Sequence, residues 1–227
     1  MKFLCLASDY DGTLAQHGDV EDSTINALKA LRETGRKLVL VTGRELPDLS
    51  KVCHFVHIFD RVVAENGALL HNPTDKSSKV LAPEPPEEFV ETLRARGVTP
   101  LSIGLGIVAT REVYSGVVMQ VIRELNLPLQ AIPNKGALMI LPSSIDKASG
   151  LRAALSELHL QPREVVGVGD AENDVGFLRI CGYSAAVANA IPELKGQVHL
   201  ITQARNGAGV EELIQKILAN EIVGTVR

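Results

Sequence analysis

The chain contains no tryptophan, and aromatic residues make up only 4% of its 227 positions. Platforms that stack single-stranded bases are built from such rings, so that mode of recognition is not expected. Positive charge is not in excess either: 23 Lys and Arg against 27 Asp and Glu leave a formal charge of -4. The basic footprint of a nucleic-acid binder is therefore missing. Cysteine is scarce. Cys5, Cys53 and Cys181 are odd in number, far apart and without a CxxC spacing. They supply neither a disulfide framework nor a zinc signature. They read as small core residues, which fits a reducing, cytoplasmic setting. No apolar run approaches the roughly 18 residues of a membrane span. The N-terminal run is too short for a signal peptide and is cut by Asp9. No membrane partner is expected, and there is no internal repeat or low-complexity segment.

What is present is an ordinary globular composition, 45% hydrophobic and 22% charged. The length allows one large domain, or one domain with an insert. A short apolar run over residues 3–7 has the character of a buried parallel strand. It leads into Asp9-Tyr10-Asp11-Gly12-Thr13-Leu14. In open α/β sheets, ligands bind at the carboxyl ends of strands. Paired carboxylates there suit a hard cation such as Mg²⁺, or a nucleophile with a partner acid, or simply a solvated acidic turn.

The remainder reads as alternating strands and helices. Helical spacing at Ile25, Leu28 and Leu31 is stopped by Gly35, with Asp22 or Ser23 as the expected cap. Strands are expected at 37–41 and 59–65, with a short helix begun by Pro47 between them. This β-α-β-α-β order implies a parallel, doubly wound, Rossmann-like sheet. The pattern then loosens. Residues 72–78 and the proline cluster at 83–86 read as linkers or turns. Helices are expected at 86–96 and 113–125, a strand at 103–109, and strands at 129–132 and 137–141 around a turn at Pro133-Asn134-Lys135-Gly136. Residues 80–142 thus form a small α+β domain inserted into a core made of 1–79 and 143–227. The α/β rhythm resumes with a helix at 145–158, a strand at 165–169 ending at Asp170, and a helix at 174–180. Short strands follow at 184–187 and 199–201, and a closing helix at 210–218.

Four features fall at strand tips or helix starts of one layer: Asp9 with Asp11, Thr42-Gly43, Lys147, and Asp170 with Asn173 and Asp174. A parallel sheet brings its strand tips to one edge, so these can meet in one cleft. A carboxylate nucleophile can accept a phosphoryl group and divide a slow hydrolysis into two steps. Asp9, first after the strand, suits that role. Asp11 would protonate the leaving oxygen and later activate water. Mg²⁺ on Asp9 and Asp170 would screen the nucleophile from the phosphate. The Thr42 hydroxyl and backbone N–H groups near Gly43 and Gly12 would hold phosphate oxygens. Lys147 lies in a helix's first turn, a poor place for a cation unless an anion compensates the dipole. Capping explains one acid of Gly169-Asp170-Ala171-Glu172-Asn173-Asp174 well, and three acids with an Asn poorly.

Together these residues resemble the haloacid dehalogenase superfamily of phosphatases. Asp9 to Leu14 match its DxDGT motif, Thr42-Gly43-Arg44 its second motif, Lys147 its third and Gly169 to Asp174 its GDxxND fourth. Glu65-Asn66-Gly67-Ala68 resembles the ENGA element of the Cof-like branch, in which an α/β cap follows the third strand. The resemblance spans nearly the whole chain. It implies that Asp9 is the nucleophile and Asp11 the general acid/base, with its backbone carbonyl also on Mg²⁺. Asp170 would be the third metal ligand, Asp174 would act from behind it, and Asn173 would lie near phosphate. Ala148 and Ala171 stand where glycine is frequent, and neither removes a reacting group. The cap sets the substrate. Caps of this small size occur in archaeal-type phosphoglycolate, sucrose-phosphate and mannosyl-phosphoglycerate phosphatases. Arg44, Asn66, Arg111 and Lys135 are the candidates for reading the substrate. The expected partner is a small phosphate ester. A sugar phosphomutase and a non-catalytic regulatory module of the same fold are the alternatives.

Overall fold

The apolar run after Phe3 forms β1 (Cys5–Ser8), every residue of which is buried. The computed structural model describes residues 3–222. After β1 come α1 (Asp22–Glu33), β2 (Lys37–Val41), α2 (Leu46–Val52), β3 (Arg61–Ala64), β4 (Leu69–Asn72) and β5 (Ser77–Val80). The next segment holds α3 (Glu87–Ala95), β6 (Ser102–Ile103), β7 (Val108–Arg111), α4 (Ser115–Glu124), β8 (Leu129–Asn134) and β9 (Ala137–Pro142). The chain continues through α5 (Lys147–Glu157), β10 (Val165–Gly169), α6 (Val175–Ile180), β11 (Tyr183–Ala186), α7 (Pro192–Lys195), β12 (Leu200–Ile201) and α8 (Asn206–Leu218).

The larger sheet has the order β12-β11-β10-β1-β2-β3-β4-β5. Strands β12 to β3 run parallel, and β4 and β5 are antiparallel additions at one edge. Alternation sorts the buried strands onto two faces. Leu6, Leu38 and Leu40 pack with Leu28, Leu31, Leu213 and Ile217 of α1 and α8. Ala7, Val39 and Val41 pack with Leu151, Leu155, Phe177 and Leu178 of α5 and α6. Both faces being covered, the strands carry near-continuous apolar runs, as parallel strands do.

The smaller sheet has the order β6-β7-β9-β8 and is antiparallel. One face packs against α3 and α4 through Phe89, Leu93, Val118 and Val121. Met139, Leu141 and Ile107 pack instead with Ala68 and Ala82 next to the larger sheet. The hairpin β8–β9 therefore lies over the tips of the parallel strands.

Local differences from the sequence reading have physical reasons. Residues 72–78, read as a linker or turn, are the turn and the flanking strand ends of the β4–β5 hairpin, whose strands were not expected. β5 is exposed throughout and held by ladder hydrogen bonds, so it has no apolar alternation to read. The strand expected at 103–109 is two strands, β6 and β7. They are joined by a turn in which Gly104 N–H donates to the Ile107 carbonyl at 2.9 Å. Asp22 and Ser23 do not cap α1. Glu21 precedes it without a side-chain cap, and the Ser23 and Thr24 hydroxyls instead donate to Glu211 of α8 at 2.8 and 2.6 Å. α8 begins four residues before the expected 210 because Gly207 and Gly209 lie within its first turn. A side chain at Gly207 would strike Thr24, so close packing outweighs the poor helix propensity of glycine there.

Candidate active site

The site is assembled at the carboxyl tips of β1, β2 and β10. Asp9 continues the β1 pairing, its N–H donating to the Val168 carbonyl at 3.0 Å. The chain then turns sharply, and the Tyr10 carbonyl accepts from Leu14 and Ala15 at 2.9 and 2.8 Å. Gly12 adopts φ +81, and a Cβ there would land on the Asp170 carboxylate, so only glycine serves. Asn189 ties the turn down, donating to the Gly12 carbonyl at 2.7 Å.

Lys147 is the first residue of α5, whose N-cap Asp146 receives the Ser149 N–H. Its ammonium is buried and donates to Asp9 Oδ1 and Asp174 Oδ1, both at 2.6 Å. Two carboxylates thus supply the compensating anion that this helix position requires. Asp174 is oriented by the Asp170 and Ala171 N–H groups, which donate to its Oδ2 at 2.8 and 3.0 Å. Asp170 accepts from the Thr13 hydroxyl at 3.3 Å. One carboxylate oxygen from each of Asp9, Asp170 and Asp174 lies within 4.8 Å of the others. Burial, then the charge of Asp174, pushes the Asp9 carboxyl well up, against the pull of Lys147. Burial likewise raises Asp170, with the Lys135 hydrogen bond opposing it. Burial acts against the Lys147 charge, but Asp174 and Asp9 outweigh it and its pKa is raised. Three buried carboxylates held this close fit a hard divalent cation, which takes oxygen ligands.

Thr42 and Gly43 follow β2. The Thr42 Oγ1 accepts the Arg44 N–H at 3.1 Å, and its own hydrogen has no acceptor among the described residues. Asn173 donates to Asn66 Oδ1 at 3.0 Å, while buried Asn66 Nδ2 and Asn173 Oδ1 have no partner among the described residues. Asn66 is held in the left-handed region, φ +53, between Glu65 and Gly67 at φ +50 and +111. A Cβ on Gly67 would meet the Asp146 carbonyl.

Asp11 lies apart from the acid cluster. Both its carboxylate oxygens accept from Arg44, Nε at 2.6 Å and Nη2 at 2.7 Å. The guanidinium also stacks 5.7 Å from the Tyr10 ring centroid, and the Asp11 hydrogen bond raises its pKa. Lys135, at the tip of the β8–β9 hairpin, places its ammonium on Asp170, and its N–H donates to Glu172 at 3.2 Å. Arg111 sits at the end of β7 opposite Ala137. It is exposed and stands outside the cavity that Asp9, Asp11, Gly43, Arg44, Asn134 and Met139 line, a space of about 130 Å³.

Sequence reasoning assigned no site role to four residues of the site's surroundings. Asn134 and Met139 bring the hairpin over Gly43. Glu65 accepts the Gly106 N–H at 2.9 Å and so ties the smaller sheet's β6–β7 turn to the core. Asn189 follows β11, and the strand-tip rule that selected Asp9, Thr42 and Asp170 would have found it.

A sequence profile of the haloacid dehalogenase-like hydrolases matches residues 6–116 and 130–214. The chain is 27% identical to a phosphoglycolate phosphatase of Methanothermobacter thermautotrophicus, over 94% of this chain and 98% of that one. It is 30% identical to a phosphoglycolate phosphatase of Haloarcula marismortui, over 92% and 95% respectively. A solved haloacid dehalogenase-like hydrolase from Bacteroides thetaiotaomicron superposes with a TM-score of 0.80 at 20% identity, covering 95% of this chain and all (100%) of the other. With its strand-tip acids and its covering hairpin, the chain belongs to the haloacid dehalogenase-like hydrolase family, as one of its phosphatases.

Proposed function

We propose that this protein hydrolyses a small phosphate monoester bearing a second anionic group, of the phosphoglycolate class, through an aspartyl-phosphate on Asp9. The observation that carries the reading is Lys147, a buried cation joining Asp9 to Asp174 at 2.6 Å on each side. It holds the Asp9 carboxylate at the tip of β1, beside the cavity and next to Asp170. An Asp9 oxygen forms a bond to phosphorus as the ester P–O bond breaks, and Asp11 gives a proton to the departing oxygen. Water then attacks the same phosphorus. Asp11 takes its proton, the P–O bond to Asp9 breaks, and inorganic phosphate leaves.

Lys147, the Thr42 hydroxyl, the backbone N–H at Gly43 and the paired amides of Asn66 and Asn173 would hold the phosphoryl oxygens, which is where most catalysis of phosphoryl transfer arises. Asp9, the Asp11 backbone carbonyl and Asp170 would hold Mg²⁺, with Asp174 behind them. When bound, that ion offsets the charge of nucleophile and phosphate together. In this reading residues 80–142 are the cap that closes the site, and 1–79 with 143–227 are the catalytic core. The cavity of about 130 Å³ supports a two- or three-carbon substrate, and the relatives named phosphoglycolate phosphatases support the class.

Purified protein with Mg²⁺, assayed against phosphoglycolate, sugar phosphates, nucleotides and pyrophosphate, tests this. Phosphoglycolate is expected to give the highest kcat/KM, and Asp9→Asn to abolish turnover. Strongest activity on hexose phosphates would overturn the substrate class. Transfer between sugar positions without phosphate release would mark a mutase.

A further inference from the structure

Asp11 is the acid that must move a proton, yet both its carboxylate oxygens accept from Arg44, at 2.6 and 2.7 Å. A carboxylate held in such a two-point fork has both oxygens directed to the guanidinium rather than to a leaving group. The pair is nevertheless accessible: the side chains are 29% exposed for Arg44 and 45% for Asp11. Water reaches both partners, so the pair is worth less than a buried one of the same geometry and its members can exchange partners. Arg44 and Asp9 line the same cavity of about 130 Å³. An arginine has five N–H donors, and the guanidinium hydrogens not given to Asp11 have no partner among the described residues. An anion tethered close to a phosphoryl group on Asp9 would therefore meet Arg44.

We propose that Arg44 is a positioning residue that makes release of Asp11 depend on the substrate's second anionic group. A carboxylate entering the cavity takes the guanidinium, and Asp11 is freed to turn toward the ester oxygen. An ester without that group has no differential affinity for the released arrangement and cannot shift the equilibrium toward it. Specificity then resides in kcat as well as in KM, because a substrate lacking the anion binds beside an acid that is still occupied. This rests on the reading above of a short phosphate ester with a second anion.

The test compares phosphoglycolate with 2-hydroxyethyl phosphate, in which the carboxylate is replaced by a hydroxymethyl group. The wild type, Arg44→Met and Arg44→Lys are measured with Mg²⁺, and circular dichroism reports their folding. Wild-type kcat should favour phosphoglycolate by roughly tenfold or more, within the range a positioned acid supplies. Added free glycolate should raise kcat on the uncharged ester. In Arg44→Met the uncharged ester should gain kcat, the ratio of the two kcat values should fall to about threefold or less, and glycolate should no longer activate. Arg44→Lys keeps the charge without the fork; it should retain a KM preference for phosphoglycolate but lose the kcat difference. An unchanged kcat ratio in both variants, or discrimination confined to KM in the wild type, overturns the coupling and leaves the phosphatase reading standing. Failure of the wild type to hydrolyse either ester overturns both.

Discussion

Asp9 and Asp11 are two residues apart on one loop, and each is held by a cation, but in opposite media. Lys147 meets Asp9 where their side chains are only 1% and 6% exposed. Arg44 meets Asp11 where the side chains are 29% and 45% exposed. The buried pair has a third member, Asp174, and is fixed by backbone donors behind it. Among the described residues, the open pair is backed by the Tyr10 ring, with no further hydrogen bond to either side chain. Burial thus separates a carboxylate held still by a buried cation from one left open to water and free to move, as the proposed nucleophile and proton carrier would need.

The largest effect should come from the buried member. Asp9→Asn removes the proposed nucleophilic carboxylate and is expected to cut kcat on the order of 10⁴-fold or more in a phosphate-release assay, with the fold retained. A residual rate close to wild type would end the aspartyl-phosphate reading. Lys147→Met leaves two carboxylates buried without their cation and should cost about 3–5 kcal/mol of stability in urea denaturation. Arg44→Met, on the exposed pair, should cost about 0–1 kcal/mol. Equal losses would break the contrast between the two pairs.

The acid cluster should also set the pH dependence of stability. Burial raises the Asp9 and Asp170 carboxyls above 3.8. A carboxyl raised on folding binds more protons in the native state than in the unfolded chain. Its contribution therefore falls as pH rises from its unfolded value through its folded one. Lys147, raised above 10.5, keeps its contribution throughout that range and loses it only at higher pH. Metal-free protein should thus melt lower at about pH 8 than at about pH 5, by roughly 2–4 °C per kcal/mol lost. A divalent cation, which needs deprotonated ligands, should raise the melting temperature more at the higher pH. Calorimetry with chelator and with Mg²⁺ checks both signs.

The smallest effect is expected at the tip of the β8–β9 hairpin. Lys135 places a 40%-exposed ammonium on Asp170, where it would compete with a metal ion held there. Lys135→Met should tighten Mg²⁺ binding about threefold by isothermal titration, the worth of one partly exposed ion pair. Weaker binding would mean that Lys135 supports the metal site instead.

Much of this was legible in one dimension because local rules govern it. Apolar runs ending in Asp9, Thr42 and Asp170 announce parallel strands with polar tips, and a lysine opening α5 announces an anion nearby. The β4–β5 hairpin was not legible, since ladder bonds rather than burial hold β5. Nor were the fork of Arg44 on Asp11, the reach of Lys135 to Asp170 or the tie of Glu65 to Gly106. These join residues 33, 35 and 41 positions apart. No periodicity encodes such pairs.

By itself the sequence determined the alternation of strands and helices in the parallel layer and the chemical types gathered at the sheet's edge. Hydrophobic period and strand-end polarity are properties of short segments. Only the tertiary structure decided which cation each acid received and how much water reached it. Lys147 and Asp9 are 138 residues apart, and their burial depends on helices α5 and α6 packing over the sheet. That difference in burial, which the chain must fold to create, is what sets the two acids of the DxDGT loop apart and underlies the different tasks proposed for them.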